Sequence, residues 1–234
     1  MASTRPEPVQ PEPVQPGPVQ PRPIRFVLAS ASPARLATLR AAGLDPEVIV
    51  SGVEEEGIIA DSPAALATRL AELKGSAVAS VTPRREPVEV VLGCDSVLEL
   101  DGVAYGKPGD SETATNRWQQ MRGRSGVLHT GHHVTVRTGD TMRTRSAVAS
   151  TTVHFAEVSD AEIAAYVATG EPLVVAGAFT LDGLGAAFVR GIEGDPHNVV
   201  GVSAPLLRTM INDLGLHWPD LWAVREPQGE VTGT

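Results

Sequence analysis

Asp95 follows an apolar run at residues 88–92 and stands beside a hydroxyl, Ser96, in the stretch Gly93-Cys94-Asp95-Ser96. A Val-rich run closed by Gly reads as a buried strand, which predicts Asp95 at or just past its carboxyl end, where open α/β sheets place ligands. An Asp101-Gly102 turn then returns the chain to Gly106-Lys107-Pro108, folding Lys107 back toward Asp95. A carboxylate suited to a divalent cation and an ammonium suited to a phosphate would then face one space. Taken alone, the stretch is equally compatible with a turn Asp and a solvated Lys.

The same chemistry is on offer elsewhere. Residues 24–29 read as a strand that runs into Ser30-Ala31-Ser32-Pro33-Ala34-Arg35, a helix start with Ser32 as cap, and Gly43 ends that helix. Backbone N–H groups, the hydroxyls of Ser30 and Ser32 and the charge of Arg35 make an anion cradle there, with phosphate the natural ligand. The plainer role for Ser32 is the cap alone. Residues 47–51 read as a strand leading into Gly52-Val53-Glu54-Glu55-Glu56, where one acid of the three could hold a hard cation or position water, although such runs are usually a solvated face. Lys74 lies on the edge of the apolar stripe Leu66, Leu70, Leu73 and Ala77 of a helix over 63–79, from which its stem could carry the ammonium into a cleft. The Gly- and Ala-rich stretch 175–185 surrounds one acid, Asp182, as backbone does when it passes close to a ligand. His129, His132 and His133 do not make a zinc site, because strand alternation sends 132 and 133 to opposite faces.

The elements that must position these groups alternate between strand and helix. A helix capped at Asp110 reaches to about 123, and residues 127–137 and 141–155 read as long strands. A capping box at Ser159 and Glu162 opens a helix that Gly170 closes. Residues 187–192 read as a strand, 194–198 as a tight polar loop and 204–214 as the last helix, with Trp218 and Trp222 over its outer face.

At 234 residues with 42% hydrophobic and 20% charged side chains, the chain suits one sizeable α/β domain or two closely packed lobes. A net charge of -9 argues against nucleic acid or an anionic membrane as partner. The single cysteine, Cys94, excludes an intrachain disulfide and predicts a buried thiol in a reducing compartment. Neither a membrane span nor a signal peptide is legible, so a cytoplasmic location is expected. Residues 6–23 repeat Pro-x-Pro-Val-Gln, so 1–23 is expected to be a disordered tail, 24–225 the folded domain and 226–234 a flexible end.

Taken in order, the pieces LASASPARL, GVEEE, LAELK, GCDSV, GKP, RSGVLH, YVATGEP, VAGAFTLDGLGA and GDPHNVVGVSAPLL resemble the Maf family, the septum formation protein Maf and its nucleoside triphosphate pyrophosphatase relatives. The likeness runs from Ile24 to Gly215. It implies a two-lobed, inosine-triphosphatase-like α/β fold on an extended mixed sheet with flanking helices, often dimeric, with a cleft between the lobes. The implied reaction is hydrolysis of a nucleoside triphosphate to the monophosphate and pyrophosphate, dependent on Mg2+ or Mn2+. By motif, the functional positions are Ser30, Arg35, Glu55, Lys74, Asp95, Lys107 and Asp182. Arg35, Lys74 and Lys107 would meet the charge of the leaving pyrophosphate, Glu55 and Asp95 would hold the metal and activate water, and Ser30 would bind phosphate.

Two departures from the family pattern bear on the substrate. Many members carry two adjacent arginines after Ser-Pro, whereas this chain has Ala34 and Arg35. Members resembling the dTTP and UTP enzymes carry Gln in the Gly-rich loop, whereas this chain has Asp182. A carboxylate only accepts hydrogen bonds, which favours the paired donors of a guanine edge over a pyrimidine, as in the branch acting on 7-methyl-GTP. The competing expectations are a dTTP or UTP pyrophosphatase, a non-catalytic nucleotide-binding regulator of cell division, and a nucleotidyltransferase.

Overall fold

A computed structural model describes residues 24–223. The expected tails at 1–23 and 226–234, and residues 224–225 of the expected domain, lie outside the described residues.

The strands are β1 (Ile24–Ala29), β2 (Glu47–Val48), β3 (Val88–Leu100), β4 (Val103–Tyr105), β5 (Ser125–Thr138), β6 (Thr141–Phe155) and β7 (Val189–Glu193). The helices are α1 (Pro33–Ala41), α2 (Pro63–Val81), α3 (Ser111–Met121), α4 (Asp160–Ala168), α5 (Pro196–Val200) and α6 (Ala204–Asp213). Ser32, Ser62, Asp110, Ser159, Asp195 and Ser203 each cap the helix that follows by accepting a backbone N–H. One mixed sheet runs β2-β1-β3-β5-β6-β7, with β4 also paired to β3. β1 is parallel to β2 and β3, and the other pairs are antiparallel.

Three sequence expectations change. β3 does not end at Gly93 but continues to Leu100, so Asp95 stands inside a strand rather than at its carboxyl end. The strand expected at 47–51 is only Glu47–Val48. The polar loop expected at 194–198 is instead a cap and the first turns of α5.

The continuation of β3 creates a notch. β1 follows β3 only as far as Ala29 opposite Gly93, and β4 joins the same edge only from Tyr105 opposite Leu98. Residues 94–97 of β3 thus keep β5 on one edge and have no ladder partner on the other among the described residues. Ser30 follows the strand on one side of this gap, and Lys107 follows the strand on the other.

Strand alternation assigns the faces. Val91, Gly93 and Asp95 look toward α2, while Val90, Leu92, Cys94, Ser96 and Leu98 look the other way. On that second face two cores form. One gathers Leu28, Leu92, Val134, Leu207 and Met210. The other gathers Leu98, Trp118, Leu128, Phe155 and Tyr166, with Trp118 making edge-on contacts to Phe155 and Tyr166 at 5.7 Å. Between them lies a polar layer in which the Ser96 and Thr130 hydroxyls are 2.9 Å apart and Thr130 donates to the Asn198 carbonyl at 3.0 Å.

Candidate functional site

Two glycine contacts bring α2 onto the sheet. A Cβ on Gly93 would come within 2.3 Å of the Ala71 oxygen, and one on Gly131 within 2.1 Å of the Ala67 oxygen, so only glycine admits the helix at this depth. Lys74 is thereby lowered onto the face that carries Asp95. Its Nζ is bonded to Asp95 and lies 2.6 Å from Glu55. The side chains of Lys74 and Asp95 are 12% and 11% exposed and that of Glu55 is 50% exposed, so the outer acid borders solvent while the inner pair does not.

On the opposite face Arg35 holds a second group together. Its Nε donates to the Gly201 carbonyl at 2.7 Å, one Nη donates to Ser30 Oγ at 2.9 Å and the other to Ser96 Oγ at 2.9 Å. Ser30 Oγ also accepts the Ser32 amide at 3.2 Å, while the Ser32 hydroxyl is engaged by the Arg35 amide at 3.4 Å as a helix cap. Asp95 and Ser96 are consecutive, so the two groups meet across one peptide of β3 at the notch.

The structure thus brings Glu55, Lys74 and Asp95 together, and Ser30 and Arg35 together, while Lys107 and Asp182 bond to neither group. Each is exposed and makes no hydrogen bond or ion pair among the described residues. They do share a scaffold. The Gly106 carbonyl accepts from the Gly177 amide at 3.1 Å and from the buried Arg117 guanidinium at 2.5 Å. Gly177 and Ala178 both take left-handed φ values, 73° and 62°, and the Ala178 carbonyl accepts from the Trp118 indole at 2.7 Å. That kink starts the loop bearing Asp182.

His132 and His133 are split across the sheet as expected, and no group of three His, Cys, Asp or Glu able to hold a metal occurs among the described residues. His132 accepts the Ser203 amide at 2.9 Å and pairs with the Thr130 carbonyl at 3.0 Å; burial pushes its pKa down to about 4. His133 bonds Ser146 and His129 bonds Glu99 and Ser150, which are scaffold roles. Burial pushes the Cys94 thiol up to about 12, which makes it a packing residue rather than a nucleophile.

A family model described as "Maf-like protein" matches residues 25–214. The chain belongs to the Maf family. Among its relatives, a protein of Salinispora tropica named "Nucleoside triphosphate pyrophosphatase" is 58% identical over 86% of this chain and 88% of that protein. Proteins of the same name from Streptomyces coelicolor and Mycolicibacterium gilvum are 58% and 49% identical, over 86% and 85% of this chain and 96% and 98% of their own. A solved structure, "The structure of the Staphylococcus aureus Ham1 protein", overlaps 85% of this chain and 93% of its own at 13% identity and a TM-score of 0.37, too loose a match to argue from.

In this Maf-family chain two carboxylates, and no larger cage among the described residues, are available to a divalent cation. Glu55 and Asp95 already converge on one positive charge, the Lys74 ammonium. Two carboxylates completed by phosphate oxygens are what Mg2+ takes in sites where it binds together with a nucleotide, so the residues present fit the ion. A hollow of about 1200 Å3 walled by Trp218, Trp222, Arg40 and Arg208 contains none of the candidate residues. The residues missed from sequence are Arg117, Thr130, Asn198 and Glu171: Thr130 and Asn198 bond groups remote in the chain, while Arg117 and Glu171 bond nearby turns and loops that only the fold sets beside them.

Proposed function

We propose that this Maf-family chain is a nucleoside triphosphate pyrophosphatase acting on a guanine-type, 7-methyl-GTP-like triphosphate, with Mg2+ or Mn2+ as cofactor. The observation that carries the reading is the Lys74 ammonium held between Glu55 and Asp95 at a gap in the sheet, with Ser30 and Arg35 gathered on the opposite face of the same strand. Water would attack the α-phosphorus, the bond to the α,β-bridging oxygen would break, and pyrophosphate would leave with the released charge. Cations placed in advance are the remedy for that charge, and Arg35, Lys74 and Lys107 supply them. Arg35 would trade its bonds to Ser30 and Ser96 for phosphate oxygens while its Nε stays anchored on Gly201, and Ser30 would turn its hydroxyl to the same phosphate. Ser32 would contribute through the capped helix start rather than through its committed hydroxyl.

Asp95, held by a buried strand and by Lys74, is the better candidate for the base, since its orientation is fixed before substrate arrives. Glu55, on an exposed loop, is free to adjust to the ion. The cation held by these two carboxylates would lower the pKa of the attacking water and screen the phosphates. Asp182, exposed and accepting only, matches the adjacent N1–H and N2–H donors of guanine, and a cationic 7-methylguanine would be drawn further. The same reading places the protein in the cytoplasm as a homodimer, which sedimentation of the purified protein checks for the assembly.

The test is pyrophosphate release from a panel of GTP, 7-methyl-GTP, dTTP and UTP with Mg2+ or Mn2+. Asp95→Asn is expected to keep the fold and lose hydrolysis by orders of magnitude. Much faster turnover of dTTP or UTP than of 7-methyl-GTP overturns the base assignment. Tight binding without turnover favours a nucleotide-sensing regulator, and label exchange from pyrophosphate into triphosphate favours nucleotidyl transfer.

A further inference from the structure

We infer that Glu171 is a positioning residue for base selection, holding in place the loop that presents Asp182. The inference rests on the reading of Asp182 given above. Glu171 follows Gly170, which takes a left-handed φ of 78° at the end of α4, so the chain doubles back and turns the carboxylate toward residues 180–185. One carboxylate oxygen, Oε1, accepts from the Tyr166 hydroxyl at 2.9 Å, the Thr180 hydroxyl at 2.5 Å and the Gly185 amide at 3.1 Å. The other, Oε2, accepts from the Leu184 amide at 3.1 Å. Asp182 therefore sits between two feet, Thr180 before it and Leu184-Gly185 after it, that hang from one side chain.

The loop can close on this carboxylate only with glycine at two places. A Cβ on Gly183 would come within 2.7 Å of Glu171 Oε2, and one on Gly185 within 2.5 Å of the Tyr166 hydroxyl. Burial would raise the Glu171 pKa, but the donors on Thr180, Leu184, Gly185 and Tyr166 outweigh it and hold the carboxyl below its usual range. The clamp consequently favours the charged carboxylate, the form that accepts on both oxygens. Asp182 itself has no partner among the described residues, so backbone alone aims it. A loop ordered before binding spares the ligand the entropy of ordering it, which is how a clamp remote from the base would act on affinity.

The experiment compares kcat/KM for 7-methyl-GTP and UTP across Glu171→Gln, Thr180→Val, Asp182→Ala and the Asp182→Ala/Glu171→Gln double variant, with thermal unfolding to verify folding. Gln keeps the shape but turns an NH2 donor toward the Leu184 amide. Glu171→Gln is expected to lower the selectivity ratio about tenfold, the size of one lost charge-assisted hydrogen bond, chiefly through KM rather than kcat. Thr180→Val is expected to lower it less. In the Asp182→Ala background Glu171→Gln is expected to change the ratio no further, because the clamp acts through Asp182. If Asp182→Ala leaves the ratio unchanged, the base assignment fails and takes this inference with it. If Asp182→Ala abolishes selectivity while folded Glu171→Gln and Thr180→Val retain it, only the role of Glu171 is overturned. An equal effect of Glu171→Gln with and without Asp182 overturns it too, and should Glu171→Gln not fold, an unchanged ratio in Thr180→Val does so alone.

Discussion

Gly93 of β3 and Gly75 of α2 are in backbone contact: a Cβ on Gly93 would lie 2.5 Å from the Gly75 nitrogen. Lys74 precedes Gly75, so the contact sets the depth at which its ammonium meets Asp95. Gly93→Ala must push the helix away. It is expected to cost about 1–3 kcal/mol of stability, the usual penalty for overpacking, and to reduce hydrolysis at least about tenfold. Chemical denaturation and steady-state kinetics check both, and full activity in a folded variant would show that Lys74 is placed by something else.

Removing the ammonium itself should expose the demand of the two acids for positive charge. Lys74→Met leaves Glu55 and Asp95 facing each other without a cation between them. The variant is expected to lose hydrolysis by orders of magnitude and to gain more thermal stability from Mg2+ than the parent does. Thermal unfolding with Mg2+ and with EDTA measures this, and an identical response in both proteins contradicts it.

Arg117 is a buried cation whose Nε has no partner among the described residues and whose Nη1 serves the Gly106 carbonyl. Its guanidinium also lies 4.9 Å from the centre of the Tyr105 ring, and burial lowers its pKa. An apolar replacement of similar length recovers the desolvation cost, so Arg117→Met is expected to change stability by less than about 1 kcal/mol. The turn at Lys107, however, loses a tether. KM for the triphosphate should rise several-fold with kcat less affected, and unchanged kinetics would detach Arg117 from the site.

Acid should weaken the fold through His132. Its pKa is about 4 when folded against an ordinary 6.5, so the unfolded chain binds the proton first and stability falls as pH drops from about 6.5 toward 4. The loss attributable to this one ring is on the order of 3 kcal/mol. Urea midpoints across that range, compared between the parent and His132→Gln, isolate the effect; parallel curves would show that the ring titrates normally.

Much of the architecture was legible because it is local. Caps at Ser32, Asp110 and Ser159 and the long strands around 127–137 and 141–155 are written in neighbouring residues, and all are present. Gly93 misled because glycine ends strands in most sequences, whereas here it admits a helix and the strand runs on. The brevity of β2 has no such account, since 47–51 is apolar enough to pair further. Charged residues stand out by type, which singles out Lys74, Asp95 and Arg35, whereas Glu55 is separated from Glu54 and Glu56 only by the family resemblance; the structure joins Glu55, Lys74 and Asp95 in one ion-pair group. Thr130, Asn198, Arg117 and Glu171 are not singled out, because an ordinary threonine or arginine is distinguished only by what folding sets beside it.

A pair of bonded hydroxyls, on Ser96 and Thr130, stands at the boundary between the two apolar cores. Continuous apolar packing is interrupted there, and a truncation such as Met210→Ala is expected to take neighbours from one compartment without loosening the aromatic rings of the other. Native-state amide exchange should divide the protein into two protection classes that meet at this seam, leaving the gap beside residues 94–97 of β3 straddling a mechanical joint.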